Sequence, residues 1–551
     1  MGRHDDAYEI RIKAAKIARD RDFEDDHQDN GEENEYTDKD GNRNFIANYT
    51  KGFEHHPKDN RDAGEVINTD YKKLIDAMKS GDPDDFENLK IGLGRKLTNP
   101  QAGLMFDLEG PDSQDIGIRE APRIDSAEAA GELAEVYWMA LCRDVPFGQF
   151  DSDPTIGDAV TDLSTSYSDF PHPFPHAGDS IVPISRDTIF RGVTEGDQIG
   201  PYISQFLYQP IPWGSQKLEQ VQPVLKKIDY LKTYDAWLSA QDGEKIDDTD
   251  DIDDGVPPRP IVTPRDLAYY VHVDALYQAY LGACLILLNT KDDMNPPQKV
   301  YHFDPLLPYQ DSTKQIGFGV FGGPHILSLV TEVATRALKA VWFQKWGVHR
   351  RLRPEAFGGL IHRQLHSASS TPTPGLTSPD PSYASKIHSD ILGKTGSNQI
   401  LEKIRTTYGS YLLPQAFPEG SPTHPSYGAG HATVAGACVT VLKAWFKEND
   451  IIFKPKRPNT TGTDIEDAPG LSLKVGDELN KVAANIAIGR NWAGVHYRSD
   501  YTESILLGEQ IALGILQEQA TCYHKKNPFA CTLTRFDGQP IEIEGTKITE
   551  I

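Results

Sequence analysis

The chain lacks the long apolar runs and the excess positive charge that several classes of protein require. Among its 551 residues no stretch approaches about 18 uncharged apolar side chains, which excludes a membrane-spanning helix. The formal net charge of -25 argues against general binding to nucleic acids or to anionic membranes. The N-terminus also lacks the apolar core of a signal peptide. This predicts a soluble, cytoplasmic protein while leaving export by another route open.

Cysteine is scarce as well, and the cysteines show no spacing typical of a metal site. Three of the five lie in helix-like apolar runs, where a buried free thiol is the expected state. The last two in the chain are close enough in sequence to pair, although nothing requires it. The full set is Cys142, Cys284, Cys438, Cys522 and Cys531.

What the chain does contain is enough apolar side chain for a sizeable core. Its hydrophobic content is 38% and its aromatic content 9%, as in folded proteins. Residues 20–45 are charged and nearly free of apolar side chains, so they predict either a disordered arm or a segment ordered by wrapping another subunit. Residues 125–145 have helical periodicity, with Asp125 or Ser126 as the N-cap.

The C-terminal half changes character, because apolar residues there recur with the helical period of about 3.6. The segments with this pattern are 264–289, 325–349, 431–448, 474–488 and 500–519. The sequence therefore predicts a mainly α protein built from helical bundles, with few short strands. We expect an N-terminal arm with extended segments that make oligomer contacts, a helical region with long loops, and a C-terminal bundle carrying the functional site. Their ranges are 1–120, 121–320 and 321–551.

A glycine-rich turn precedes one of these helices, in the stretch 422-PTHPSYGAGHATVAG-436. A turn that leads into a helix leaves backbone N–H groups unpaired, and the helix dipole adds positive potential at the same point. This pattern predicts an anion site at the helix N-terminus. His424 and His431 lie in the same stretch, although a lone histidine beside glycines is more often a turn or core residue.

Positive charge is concentrated in 345-KWGVHRRLRPE-355, at the end of a long predicted helix. Lys345, His349 and Arg353 are four residues apart, which predicts that they lie near one helical face. The two arginines that follow His349 have a simpler explanation, since exposed helix ends often carry cations that complement the dipole.

A third segment, 488-IGRNWAGVHYRSDYTES-504, places Arg490 and His496 in a predicted loop between two helices. Ser499 or Asp500 is expected to cap the second helix. Asp500 follows His496 by four residues and is placed to fix the tautomer of its imidazole. Together the three segments supply lysine, two arginines, two histidines and a helix N-terminus, which predicts a pocket for a tetrahedral oxyanion.

These segments, in this order, resemble the signature shared by vanadium-dependent haloperoxidases and the related type-2 phosphatidic-acid-phosphatase-like acid phosphatases. The signature runs from a lysine to Arg-Pro, Pro-Ser and Gly-His, then to an arginine, a histidine and an aspartate at fixed spacing. Similarity to red-algal and cyanobacterial bromoperoxidases extends from about residue 45 to the end, including 102-AGLMFDLEGPD-112 and 485-NIAIGRNWAGVHY-497. The resemblance implies the helical fold of those enzymes and a vanadate cofactor.

The resemblance also implies a role for each matching residue. His496 would bond vanadium, with Asp500 behind it. The cofactor oxygens would be stabilised by the side chains or backbone N–H groups of Lys345, Arg353, Gly430 and Arg490.

Other matching positions concern proton transfer and halide preference. His431 would act as the acid–base residue where peroxide enters. His424 occupies the place of a histidine in bromoperoxidases and of a phenylalanine in fungal chloroperoxidases. Trp342 falls where the red-algal enzymes typically have arginine, so halide preference could differ from theirs.

Ala429 is the position at which this chain departs from the family pattern. The family carries a serine there, and its hydroxyl bonds a vanadate oxygen. Loss of one such hydrogen bond to a charged group costs roughly 1.5–3 kcal/mol. We therefore expect vanadate to be held about one to two decades more weakly, in a retuned site rather than an inactive one.

The implied reaction uses hydrogen peroxide to oxidise bromide, iodide and, as a further candidate, chloride to hypohalous acid, which halogenates a small organic acceptor. His431 takes a proton from peroxide, so activity is expected to fall at acid pH. Two alternatives stay open. One is an acid phosphatase with His496 as nucleophile and His431 as the acid. The other is a noncatalytic oxyanion-binding protein, which Ala429 favours and His431 does not.

The resemblance further implies a homo-oligomer, a dodecamer in the red-algal relatives, with N-terminal arms crossing between subunits. Those relatives hold a structural calcium in an acidic loop before the lysine-bearing helix. The corresponding stretch here, 306-LLPYQDSTKQIGFGVFGG-323, is shorter and less acidic. This stretch therefore leaves a calcium ion a doubtful expectation for this chain.

Overall fold

The structure of the protein is a computed structural model that describes residues 2–21, 27–37, 42–172, 182–246, 251–366, 375–377, 386–393 and 399–551. Helices dominate these ranges. The α-helices are α1 (Arg3–Arg19), α2 (Glu32–Glu35), α3 (Asn68–Ser80), α4 (Pro83–Glu87), α5 (Ala127–Cys142), α6 (Pro154–Thr165), α7 (Tyr234–Gln241), α8 (Pro264–Tyr270), α9 (Gln278–Asn289), α10 (Gly323–Phe343), α11 (Pro354–His366), α12 (Ser389–Leu392), α13 (Gln399–Tyr408), α14 (Gly430–Trp445), α15 (Val475–Trp492) and α16 (Arg498–Ala520). Short 3₁₀ turns span Pro100–Leu104, Phe147–Gln149 and Gln205–Leu207, and a π-helical turn spans Gln344–His349.

The strands are short and antiparallel: β1 (Ile211–Trp213), β2 (Gln216–Leu218), β3 (Lys456–Pro458), β4 (Ile465–Asp467), β5 (Ala530–Thr534), β6 (Pro540–Glu544) and β7 (Lys547–Glu550). The first four form two hairpins, and the last three form one sheet with β6 in the middle. In that sheet Cys531 pairs with Ile543, and both side chains are buried. A mainly helical fold with few short strands is thus confirmed.

The core of the C-terminal bundle is α14, which packs against α16, α10 and α15. Glycine permits the closest of these contacts. A Cβ atom on Gly436 would lie 2.1 Å from the carbonyl oxygen of Ile505, and one on Gly508 would lie 2.0 Å from that of Thr433. Because both glycines lack that atom, the backbones of α14 and α16 touch directly.

Several predicted helices have different boundaries in the structure. Ser126 caps α5, its hydroxyl accepting from the Ala129 N–H at 3.1 Å. The segment 264–289 is two helices, α8 and α9, separated by an irregular stretch. The segment 325–349 ends in the π-helical turn, after which Arg350 adopts a positive φ of 41°.

The described part of the N-terminal arm packs against its own chain. Glu33 accepts two hydrogen bonds from Arg350, at 2.7 and 3.0 Å. Residues 22–26 and 38–41 of the predicted arm lie outside the described residues. The three-region division of the chain stays a prediction.

All five cysteines are free, with Cys522 exposed and Cys531 buried, so these two do not pair. Among the described helices, none combines the length and the apolar character needed to cross a lipid bilayer.

Candidate active site

The three segments that the sequence singled out meet at one end of the C-terminal bundle. The π-helical turn after α10 carries Lys345, the turn before α11 carries Arg353, and the loop before α14 carries His424. Arg490 lies at the end of α15, and His496 lies just before the start of α16. Lys345, Arg353 and His496 are buried, and Arg490 is buried as well, with 7% of its surface exposed.

Arg353 connects two of these segments. Its Nε donates to the carbonyl oxygen of His424 at 2.9 Å, and one terminal nitrogen lies 2.8 Å from Nδ1 of His424. The other terminal nitrogen donates to the carbonyl oxygen of Val495 at 2.7 Å and contacts Nε2 of His496 at 2.9 Å. Burial lowers the pKa of Arg353 to about 10, and nearby Arg490 acts in the same direction.

His496 is held as a neutral imidazole with a defined tautomer. A guanidinium can only donate, so Nε2 accepts from Arg353, and Nδ1 carries the proton that it donates to Asp500 at 2.7 Å. Burial, followed by the charge of Arg353, holds the pKa of His496 well below its usual value. The Nε2 lone pair therefore points among the cations of the pocket.

Asp500 is a buried carboxylate that accepts from several donors. Besides His496, it accepts from the Ser426 hydroxyl, from the Tyr497 N–H at 3.1 Å and from Arg351 at 2.9 Å. Burial alone would raise its pKa, but Arg351 and His496 outweigh burial and hold the pKa below its usual range. The predicted tautomer-fixing contact is therefore present. Asp500 also takes part in capping α16, whose N-cap residue is Tyr497.

A further layer, which sequence reasoning missed, supports this carboxylate. Arg351 donates to Glu132 on α5 at 3.0 Å, as well as to Asp500 and to the Ser499 hydroxyl, both at 2.9 Å. Glu132 also accepts from the backbone N–H and the hydroxyl of Ser499. The available signal was Glu132 itself, one of three carboxylates in a helix whose other residues are mostly apolar.

The structure corrects the prediction for the stretch 345–355. His349 does not share a face with Lys345 and Arg353; its ring packs edge-on against Tyr427 at 4.9 Å, away from the pocket. Arg350 and Arg351, expected to serve an exposed helix end, are buried and ion-paired. The π-helical turn and the positive φ at Arg350 redirect the chain, so regular helical spacing does not hold here.

Lys345 is fully buried, and its ammonium nitrogen donates to the carbonyl oxygens of Pro425 and Ser426 at 2.6 and 3.2 Å. The same nitrogen lies 5.5 Å from the ring centroid of Trp342. Burial, followed by the charge of Arg353, holds the pKa of Lys345 well below its usual value. An anion would relieve this repulsion.

Arg490 lies in the last turn of α15 rather than in the loop that the sequence suggested. One terminal nitrogen is 3.5 Å from the carbonyl oxygen of Val271, and its buried Nε has no hydrogen-bond partner among the described residues. Burial lowers its pKa, against the opposing charges of Asp274 and Glu419. A buried guanidinium with unused donors is suited to an oxyanion.

The remaining predicted residues surround this cationic pocket. Trp342 lies with its ring 5.0 Å from that of His424, and its indole N–H donates to the Thr98 carbonyl oxygen at 3.1 Å. Burial, followed by the charge of Lys345, holds the pKa of His424 well below its usual value. Gly430 begins α14, and a Cβ there would lie 3.1 Å from the Trp342 ring.

Ala429 is the N-cap of α14, and its methyl group offers no hydrogen bond to the helix end. Its own N–H donates to the Ser504 hydroxyl at 2.7 Å, which joins the start of α14 to α16. The N-cap residue therefore has no polar side-chain atom that could accept a hydrogen bond from the first N–H groups of α14.

His431 follows at the pocket mouth and is partly exposed. Its Nε2 lies 3.2 Å from a carboxylate oxygen of Asp274, a partner that sequence reasoning missed. Asp274 lies between α8 and α9, where the sequence was read as one helix. The signal available was Asp274 itself, one of two carboxylates in the largely apolar segment 264–289.

The residues present fit vanadate, a tetrahedral oxyanion that can accept a nitrogen ligand. The pocket combines three buried cations, an unused Nε donor on Arg490, a helix N-terminus and a neutral imidazole whose Nε2 lone pair faces the guanidinium of Arg353. Such a set neutralises oxyanion charge and offers one bond to the central atom.

Comparisons with known proteins agree with this pocket. Residues 393–524 match the family model described as the VCPO second helical-bundle domain. The vanadium-dependent bromoperoxidase of Corallina officinalis is 39% identical, over 93% of this chain and 94% of that protein. Those of Corallina pilulifera and Ascophyllum nodosum are 38% and 33% identical, over 98% and 91% of this chain and 98% and 87% of their own lengths.

A solved structure shows the same fold over the whole chain. The homohexameric structure of the second vanadate-dependent bromoperoxidase from Ascophyllum nodosum covers 100% of this chain and 92% of its own, with a TM-score of 0.81 and 28% identity. With relatives above 30% identity along nearly its full length, the chain belongs to the vanadium-dependent bromoperoxidases.

Proposed function

We propose that this protein binds vanadate in the pocket around His496 and uses hydrogen peroxide to oxidise bromide and iodide, with chloride as a further candidate, to hypohalous acid. That product halogenates small organic acceptors. The observation that carries the proposal is the Nε2 lone pair of His496, set among Lys345, Arg353 and Arg490. When bound, vanadate supplies a Lewis acid that activates peroxide without a change of oxidation state.

Each residue of the pocket has its own role in this proposal. His496 would hold vanadium through Nε2, and Asp500 keeps the proton on Nδ1 so that the lone pair stays available. Lys345, Arg353 and Arg490 would neutralise the oxygens, and the N–H of Gly430 would donate to one of them.

His431 is the proton-transfer residue in this proposal. It lies at the mouth of the pocket, where incoming peroxide must lose a proton, and Asp274 is within 3.2 Å to orient the imidazole. His424 lies against Arg353 and Trp342 and would shape the space that the halide enters. Ala429 leaves vanadate with one hydrogen bond fewer than a serine would give.

We also propose that the chain forms a homo-oligomer, since the similar Ascophyllum enzyme is a homohexamer. A dodecamer is the larger alternative, and light scattering of the purified protein at several concentrations distinguishes the two. A calcium ion before α10 is the weakest expectation, because Asp311 is the single carboxylate between 306 and 323. Calcium titration of chelator-treated protein, followed by thermal unfolding, tests it.

The decisive experiment measures bromination of a simple acceptor by metal-stripped protein in the presence of peroxide and bromide. Turnover that appears with added vanadate and is suppressed by phosphate pre-incubation supports the proposal. Hydrolysis of a phosphate ester without bromination supports an acid phosphatase with His496 as nucleophile. Anion binding without either activity leaves a noncatalytic oxyanion-binding protein.

A further inference from the structure

A second histidine–carboxylate pair lies at the pocket mouth, besides His431 and Asp274. Nε2 of His272 is 3.3 Å from a carboxylate oxygen of Glu419. The charges of both Glu419 and Asp274 act on the Arg490 guanidinium, so the two pairs flank the same cation. None of the roles assigned above uses His272 or Glu419.

The second pair is held in place by contacts that are independent of its ionisable atoms. The imidazole of His272 stacks on the Phe417 ring at 3.8 Å with an angle of 10° between the planes. The carbonyl oxygen of Glu419 accepts from Lys51 at 2.7 Å and from Arg95 at 3.3 Å. The backbone of Glu419 and the ring plane of His272 are therefore fixed, which leaves the imidazole edge and the carboxylate to exchange a proton.

Both side chains reach from the interior towards solvent. The His272 side chain is 24% exposed and that of Glu419 14% exposed, whereas the residues around His496 are buried. The backbone next to His272 contacts the pocket directly, because the Val271 carbonyl oxygen is 3.5 Å from Arg490. The pair thus lies between solvent and the Arg490 guanidinium, whose charge acts on both side chains.

The proposed reaction requires such a connection. In H₂O₂ + Br⁻ + H⁺ → HOBr + H₂O the O–O bond breaks, an O–Br bond forms, bromide loses two electrons and the peroxide oxygens gain them. One proton is consumed in each turnover. His431 can return the proton that it takes from peroxide, but the additional proton must come from solvent.

We propose that His272 and Glu419 form a proton-delivery pair that carries this consumed proton from solvent to the oxyanion pocket. The inference rests on the proposed function and adds a second acid–base element to the same site. His272, the more exposed partner, takes up the proton from solvent at its imidazole, and the Glu419 carboxylate at 3.3 Å passes it inward.

The charges around the pair are consistent with this role. Burial raises the pKa of Glu419, against the opposing charges of Arg95, Lys51 and Arg490, so its carboxyl holds a proton at higher pH than usual. Burial, followed by Arg490, His431 and Arg95, lowers the pKa of His272 to about 4, while Asp274 acts in the opposite direction. At neutral pH His272 is therefore an uncharged imidazole that can accept a proton.

The test substitutes His272→Phe, which preserves the stacking on Phe417 and removes both ring nitrogens. We expect unchanged vanadate affinity without peroxide, together with a kcat that falls about tenfold or more above about pH 8 and much less below about pH 6, where bulk protons are abundant. Added imidazole buffer should restore the lost rate. Glu419→Gln, whose backbone anchors remain, should shift the pH profile in the same direction.

His302→Phe is the matched control, because it removes an exposed histidine that is paired with Asp450 and is not part of the pocket. Its pH profile should follow that of the parent protein. A parental pH profile in both His272→Phe and Glu419→Gln overturns the proposal. A loss of vanadate affinity that accounts for the whole loss of rate also overturns it, since the pair would then be structural. The parent protein assayed beside them reports separately on the proposed function, because absent vanadate-dependent bromination there contradicts that function whatever the variants do.

Discussion

The carboxylate of Asp500 lies 2.7 Å from Nδ1 of His496, and a buried arginine lies 2.9 Å from the other carboxylate oxygen. The imidazole therefore has one tautomer, with its lone pair on Nε2. This arrangement sets the basicity of the nitrogen that would hold vanadium. The contribution of each carboxylate behind that nitrogen can be measured with a single substitution.

Asp500→Asn should weaken vanadate binding by about 10- to 100-fold, because the amide can donate to Nδ1 and favour the wrong tautomer. Equilibrium vanadate titration of the metal-stripped protein measures the change. Ser426→Ala is the control, since it removes one hydrogen bond to Asp500 and leaves the contact with His496. Equal losses in the two variants would contradict a role in tautomer selection.

Glu132→Gln should weaken vanadate binding by less than Asp500→Asn does, since Glu132 acts through Arg351. Arg351 would lose one of its two carboxylate partners, and breaking such a buried pair costs about 3–5 kcal/mol of stability. Chemical unfolding and vanadate titration of the same preparations separate the two effects. An unchanged unfolding midpoint would show that this ion pair does not support the site.

Ala429→Ser should tighten vanadate binding by about 10- to 100-fold, the equivalent of one hydrogen bond to a charged group. The serine would also stand at the N-cap of α14, where it can stabilise the free protein by about 1 kcal/mol. Ala429→Gly is the control, because it changes the backbone position without adding a hydroxyl. If both variants bind vanadate equally well, the missing hydroxyl is not what limits affinity.

Binding of an oxyanion should draw protons into the pocket. The pKa of free Lys345 lies well below its usual value, and a bound anion favours the charged form. Calorimetric titration with phosphate, in buffers of different ionisation enthalpy, should reveal proton uptake that grows as the pH rises. Lys345→Arg stays charged throughout and should show less uptake. The same buffer dependence in both proteins would assign the protons to another group.

The stability of the protein should depend on Asp197, a buried carboxyl outside the pocket. One of its oxygens accepts from Thr194 and Tyr501, and the other has no partner in the described part of the chain. Burial raises its pKa from 3.8 to about 7. The folded state therefore holds a proton that the unfolded state releases, so this contribution is complete below about pH 4 and is lost as the pH rises through about 7.

Asp197→Asn removes that ionisation and should flatten the fall in unfolding free energy between about pH 5 and pH 8, by about 2–3 kcal/mol. Denaturant titrations at the two pH values measure the difference. Asp187→Asn, in the same loop region, is a suitable control because Asp187 is exposed. An equally steep fall in Asp197→Asn would assign the pH dependence to other carboxyls.

The sequence predicted the helical bundle because apolar periodicity extends over long segments such as 474–488. The resemblance to the family signature predicted that Lys345, Arg353 and His496 lie together, and their roles toward vanadate stay predictions. The sequence did not predict that Arg490 is helical, that Glu132 supports Arg351, or that Asp274 faces His431. These relations depend on where helices end and cross, and a change of φ at one residue, as at Arg350, redirects the chain without altering the apolar pattern.

The glycine contacts between α14 and α16 have a consequence for how the protein acquires its cofactor. Gly436 and Gly508 bring the two backbones together, and the Ala429–Ser504 hydrogen bond joins them again beside the pocket. His431 and His496 are thus fixed by a crossing of helices in the core, which opens only when the bundle itself opens. Removing vanadate should leave the receptor shape intact, so the stripped protein can be reloaded in its folded state and needs no assembly factor to rebuild the site.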